Sequence, residues 1–203
     1  MPPIIITDFE QGSEAWFQAC CGNPGASSVD KIVTTEGKRS KQRDDYMMQL
    51  AGERITGKRE DTFISQAMQN GIEREASARA LFEIVHGVDV QQVGVVYKDA
   101  SRFCHCSPDG LVGDNAGLEL KSPMMKTHVK YLLAGKLPTD YFCQVQMSMY
   151  VTEREKWWFM SYYEGLPPMI IEVKRDEVFI GRLDEELKLF CSELITMVKT
   201  IGG

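Results

Sequence analysis

Asp109, Glu119 and Lys121 are the residues whose types and spacing carry the most chemistry in this chain. Asp109 lies in Ser107-Pro108-Asp109-Gly110, and Glu119 and Lys121 flank Leu120 in Gly117-Leu118-Glu119-Leu120-Lys121. Successive side chains of a strand alternate faces, so Glu119 and Lys121 point the same way while Leu118 and Leu120 enter the opposite layer. Two carboxylates converging with an ammonium form a site for a divalent cation and a water that attacks phosphorus. Each fragment also has a plainer reading. Pro-Asp-Gly is good turn chemistry, and Glu-x-Lys can decorate the edge of an amphipathic strand. Order, spacing and strand placement together favour the catalytic reading.

Two further polar residues interrupt apolar patterns. Ile64, Met68, Gly71, Glu75, Ala78 and Phe82 recur at helical spacing and share one face, so Glu75 breaks a stripe that is otherwise apolar or small. An inward carboxylate needs a cation: either a metal, or Arg79 four residues on. With Pro-Asp…Glu-x-Lys in the same chain, the metal side is favoured. In Gln144-Val145-Gln146, Gln144 lies beside the face formed by Phe142, Val145 and Met149 and could reach a cleft, although a surface glutamine is the commoner reading.

The elements that must position these groups follow from periodicity and punctuation. A polar start from Asp8 leads into a helix near Trp16, and Ser27 or Ser28 caps a short helix carrying Val29, Ile32 and Val33. Helices are predicted from Asp44 to Gly57, from about Thr62 to His86, from Pro138 through Val151 and from Asp184 to Ile201. Strands are predicted over Val88 to Tyr97, Phe103 to Cys106, Leu111-Val112, Leu118 to Lys121, Lys156 to Tyr163 and Met169 to Lys174. This order predicts an α/β (α+β) fold with a central mixed β-sheet flanked by helices. No repeat, linker or low-complexity tract divides residues 1–203, so a single domain is expected.

Composition narrows the classes. The chain has 203 residues, 43% of them hydrophobic and 26% charged, as in an ordinary globular protein. No apolar run approaches the roughly 20 residues that cross a bilayer, and the N-terminal Met-Pro-Pro-Ile-Ile-Ile is no signal peptide. The six cysteines read as reduced cytosolic thiols, since Cys20-Cys21 and Cys104-His105-Cys106 are poorly spaced for bridges or zinc. The formal charge of −6 runs against the basic surplus usual for nucleic-acid binding. Lys38, Arg39, Lys41 and Arg43 form one dense basic run, read equally as a phosphate contact or a solvated loop.

Together these residues resemble the phage lambda exonuclease family, viral recombinases of the PD-(D/E)xK nuclease superfamily with a restriction-endonuclease-like core. The matched text is Trp16, Gly25-Ala26-Ser27, Gly71-x-x-x-Glu75, Ala78-Arg79-x-Leu81-Phe82-Glu83, Cys106 to Leu111, Gly117 to Lys121 and Gln144-Val145-Gln146-x-Ser148-Met149. The resemblance implies that Glu75, Asp109, Glu119 and the main-chain carbonyl of Leu120 ligate Mg2+, with Mn2+ as substitute. Lys121 would orient or deprotonate the water, Gln144 would lie near the attacked phosphate, and Ser27, Ser107 and Gln144 would bind a terminal 5′-phosphate. It further implies a ring-shaped homotrimer, double-stranded DNA ends as substrate, ATP-independent 5′→3′ resection, a single-strand annealing protein as partner, no membrane, and the cytoplasm of a bacterial host as the place of action. One feature departs from the family. Relatives carry an arginine between the tryptophan and the Ala-Ser pair, where this chain has Cys20, Cys21 and Asn23, leaving Arg39, Lys41 or Arg43 as candidate substitutes. Two rivals share the core: a restriction-type or junction-resolving endonuclease, and a non-catalytic DNA-end-binding recombination adaptor.

Overall fold

The computed structural model of the chain describes residues 2–59 and 66–202, and the side chains of its long central helix from residue 74 onward. Five strands form a mixed sheet in the order β2 (Val90–Gln91), β5 (Gly110–Val112), β6 (Ala116–Lys121), β7 (Lys156–Ser161) and β8 (Met169–Lys174). Only β6 and β7 run parallel; the other pairs are antiparallel. A second, antiparallel sheet of three strands joins β1 (Ile4–Ile6), β3 (Val95–Tyr97) and β4 (His105–Cys106).

Helices cover both faces of the five-stranded sheet. On one side α3 (Gln66–His86) packs Ala78 and Phe82 against Leu118, Leu120 and Met160. On the other, a larger core gathers α2 (Arg43–Thr56), α5 (Phe142–Thr152), α6 (Glu177–Thr200) and the 3-10 helix Ala26–Lys31 around Trp157. Because β6 is central, both its faces are buried, and the period-two alternation sends Leu118 and Leu120 to α3 and Glu119 toward α5. The remaining helices are α1 (Glu14–Cys20) and α4 (Met125–Ala134).

The expected order of elements holds, with six corrections. Ser27 and Ser28 are not caps: they lie within the 3-10 helix, whose N-cap is Gly25, although Val29, Ile32 and Val33 are fully buried as expected. The run Val88 to Tyr97 is two strands in different sheets, because the main chain turns away at Gly94, whose amide bonds Ile6 O at 2.9 Å. The helix after Pro138 opens as a 3-10 turn, Thr139–Tyr141. The last helix begins at Glu177 rather than Asp184, capped by the Asp176 carboxylate on the Phe179 amide at 2.9 Å. Both β1 and α4 were unexpected. Of the face predicted for the long helix, Ile64 and the side chains of Met68 and Gly71 lie outside the described residues.

Candidate active site

The register of β5 on β6 builds the centre of the site. Gly110 pairs with Leu118, which brings Asp109, one residue before β5, alongside the Glu119–Leu120 peptide. The Asp109 carboxylate accepts the Leu120 amide at 2.5 Å. Glu119, 2% exposed, receives the Lys121 ammonium at 2.5 Å and the Gln144 side-chain amide at 2.6 Å, both on Oε1. Gln144, one turn into α5, therefore reaches the centre rather than solvent. Glu75 pairs with Arg79, and Arg79 Nε also donates to the Asp109 carbonyl at 3.3 Å. The two readings of Glu75 thus meet in one place: it is paired within its helix, and the pair abuts the Asp109 turn.

Like charges are crowded here. Burial, then the neighbouring Glu119 and Glu75 carboxylates, push the Asp109 carboxyl well above its ordinary value. Burial works against charge on Lys121, but Glu119 and Asp109 outweigh it and hold the ammonium above its ordinary value. With no metal bound, Lys121 is therefore a cation here.

Asp109, Glu119, Lys121 and Gln144 line a cleft of about 350 Å³. Its lining also includes Ser27, Ser107, Trp16, His105, Lys31 and Arg59. Trp16 Nε1 donates to Ser107 Oγ at 2.8 Å, which fixes that hydroxyl and leaves its proton available. His105 is buried against Gly25, where a Cβ would meet its Nε2 at 2.8 Å, so only glycine permits this approach. Burial, and secondarily Arg59, lower the His105 imidazole from 6.5 to about 4, keeping it neutral.

The basic run does not serve this cleft. Lys38 pairs with Glu36, Arg39 with Glu186 at 3.0 Å and Arg43, 4% exposed, with Glu193 at 2.6 Å; Lys41, like these three, is absent from the lining. The expected substitutes for the missing arginine are thereby set aside, since two of them are spent tying the segment to α6. The cations in the cleft wall, Arg59 and Lys31, were not anticipated. Arg59 comes two residues after the helix-ending Gly57 and Lys31 sits in a helix too short to show a pattern, so neither had a local signal.

The donor set suits a hard divalent cation in kind. Asp109 and Glu119 supply carboxylate oxygens, and the electrostatic strain on Asp109 is what a cation would relieve. The arrangement is nonetheless closed on protein donors. Among the described residues no three acidic, histidine or cysteine side chains are gathered in ligand geometry. A bound cation would displace the contacts of Glu119 with Lys121 and of Glu75 with Arg79.

A mixed sheet presenting Pro-Asp…Glu-x-Lys on paired strands, with a glutamine from a facing helix, defines a nuclease. The chain belongs to the YqaJ-like viral recombinase domain family, whose profile matches residues 15–155. It is similar to the alkaline exonuclease LHK-Exo of Laribacter hongkongensis, at 34% identity and a TM-score of 0.85 over 93% of this chain and 96% of that one. The structure of LHK-Exo in complex with dAMP matches over the same spans at 33% identity. A phage-related exonuclease from Haemophilus somnus 129PT shares the fold, with a TM-score of 0.66 at 15% identity over 89% of this chain and 96% of that one. The ExoD protein of Escherichia coli K12 is 32% identical over 81 residues, 36% of this chain and 91% of ExoD.

Proposed function

We propose that this nuclease is a metal-dependent, ATP-independent exonuclease that resects one strand of linear double-stranded DNA in the 5′→3′ direction. It would release 5′-mononucleotides and leave a 3′ single-stranded tail for recombination by strand annealing. The observation that carries this reading is the convergence of Asp109, Glu119, Lys121 and Gln144 in one cleft whose lining also includes hydroxyls and cations. The likeness to LHK-Exo supports it, and the dAMP held by that relative is a nucleoside monophosphate, the product class expected.

Asp109, Glu119 and the Leu120 carbonyl would hold magnesium or manganese, with Glu75 contributing from α3. Bound there, the metal would lower the pKa of a coordinated water and stabilise charge on the departing oxygen. The remaining work falls to the chain itself. Lys121 places an ammonium where negative charge grows on the attacked phosphate. Gln144 fixes the rotamer of Glu119 through its amide. Ser27 and Ser107 donate to a terminal phosphate, with Trp16 setting the direction of the Ser107 hydroxyl. A homotrimeric ring would supplement the affinity of an acidic chain for DNA, and a single-strand annealing protein would take up the tail.

Incubation with magnesium of linear duplexes and of covalently closed circles tests the reading. Loss of the linear DNA with the circle intact is expected. Cleavage of the circle would transfer the same site to an endonuclease, and digestion of neither would leave an end-binding adaptor.

A further inference from the structure

We infer that Arg79 is a positioning residue of this centre: its guanidinium fixes the Asp109 turn against α3 and holds Glu75 in reserve for a divalent cation. The inference rests on the nuclease reading above and deepens it with a residue that takes no part in the cleft lining.

A guanidinium presents five N–H donors in a rigid planar fork and stays charged in proteins. Arg79 distributes them over three parts of the chain. Within α3 it pairs with the Glu75 carboxylate, four residues earlier. Its Nε donates to the Asp109 carbonyl at 3.3 Å, in the turn that enters β5. The Gln92 side chain, with its amide oxygen toward the guanidinium, accepts from the two terminal nitrogens at 3.0 and 3.2 Å, and Gln92 directly follows β2. Of these three acceptors only Glu75 is charged.

Exposure separates the members of the ion pair. The Arg79 side chain is 11% exposed and that of Glu75 is 37% exposed. Two neutral oxygens anchor the guanidinium beside Glu75, whereas Glu75 sits at the open side. Ion pairs at this helical spacing are weak. Glu75 can therefore be released to a cation while the guanidinium stays bound to Asp109 and Gln92. The Asp109 turn is meanwhile clamped from both sides: its carboxylate accepts the Leu120 amide at 2.5 Å and its carbonyl accepts Arg79. One guanidinium thus sets where Asp109 points and how far Glu75 lies from it. A lysine would keep the charge but lacks the fork, so it serves Glu75 or the turn and not both.

The test is a magnesium titration of the melting temperature without DNA, beside digestion of a linear duplex. Contacts that orient metal ligands typically carry ten- to a hundredfold in metal affinity or activity, so Arg79→Lys should raise the half-saturating magnesium concentration by roughly that factor. It should lower kcat similarly and leave affinity for DNA ends in EDTA unchanged. Gln92→Ala, at an exposed position, should move the magnesium midpoint the same way by a smaller factor. Arg175→Lys is the control. That guanidinium likewise joins a glutamate, Glu177 at 2.8 Å, and a carbonyl, Met149 O at 2.7 Å, but lies outside the cleft lining. It should lower the melting temperature and leave the midpoint where it is. An unchanged midpoint in Arg79→Lys overturns the inference, as does an equal rise in Arg175→Lys. If Arg79→Lys does not fold, an unchanged midpoint in Gln92→Ala overturns it. Each of these results, with a wild type that digests linear DNA, leaves the nuclease reading standing. A wild type that neither digests linear DNA nor gains stability from magnesium sinks that reading instead.

Discussion

An ammonium 2.5 Å from a nearly buried carboxylate and close to a second one is held above its ordinary value in the metal-free chain, which is the basis for proposing that Lys121 supplies charge. Lys121→Ala should lower digestion of linear DNA by about two to four orders of magnitude while binding of ends in EDTA falls far less, and near-normal digestion on a gel would remove Lys121 from the chemistry. Asp109 gives the complementary prediction. Its carboxyl is raised in the folded chain by burial and by Glu119 and Glu75, so between the unfolded value of 3.8 and the raised folded value the native state binds the extra proton. Stability without metal therefore falls as pH rises through that window and is regained on acidification. Asp109→Asn removes the repulsion yet keeps an oxygen for the Leu120 amide. It should raise the melting temperature in EDTA at neutral pH and abolish most of the gain that magnesium gives the wild type. An unchanged melting temperature with an undiminished magnesium effect would take Asp109 out of the cation site. The Asp109–Glu119–Lys121 set was readable because turn chemistry and period-two alternation act over a few residues. Arg59 was not, because only the tertiary path of the segment after Gly57 brings it over Trp16.

Strand β6 holds the acidic pair, and its position depends on how closely β7 approaches. Gly117 faces the Trp157 ring, and a Cβ there would meet three ring atoms at 2.2 to 2.5 Å. Trp157 is fully buried in the main core, so the ring cannot swing away. Gly117→Ala should cost about 1–3 kcal/mol by overpacking and displace Glu119 enough to depress activity beyond the loss of folded protein, measurable by urea titration beside the digestion rate. Wild-type stability in this variant would mean that β6 and β7 can separate freely. At this scale, legibility followed amphipathic pattern. The strands β6, β7 and β8 and the C-terminal end of α2 were read nearly residue for residue. The helix α4 was missed because its pattern is inverted: Met125, Val129 and Leu133 are exposed while His128 is fully buried, bonded to Ser161 Oγ at 2.8 Å and Pro167 O at 3.0 Å. The apolar residues at helical spacing face solvent, and the buried side is carried by His128 and Tyr131. The three isoleucines of β1 lack alternation, and their partner Val95–Tyr97 is remote in sequence. The early start of α6 was hidden by Gly181, an unfavourable residue within a helix, although Phe179, Ile180 and Leu183 are all buried beside it.

At the scale of the molecule, an excess of acid has to coexist with a polyanionic substrate. Much of the positive charge is consumed internally: Arg39 and Arg43 are bound to Glu186 and Glu193 of α6, Lys98 to Glu153, Lys156 to Glu172, and Lys188 to Asp184. The first two tie the basic run to α6 and leave it with little to offer DNA. Among the described residues the cations that line the cleft are Lys31, Arg59 and Lys121. Binding to phosphate releases counterions in proportion to the phosphates neutralised, so the number of engaged cations sets the slope of log affinity against log salt. With three, that slope should lie between about −2 and −3 per protomer, the range spanning single-stranded and duplex contacts. Anisotropy titrations of a 5′-phosphorylated duplex in EDTA, repeated across a salt series, measure it directly. The triple variant Lys38→Ala, Arg39→Ala, Lys41→Ala should leave the slope unchanged, because that segment lies outside the cleft. A slope of about −6 or steeper would place most phosphate contacts on another surface. Lys126 and Lys130, both exposed on α4, would then be the first cations to replace.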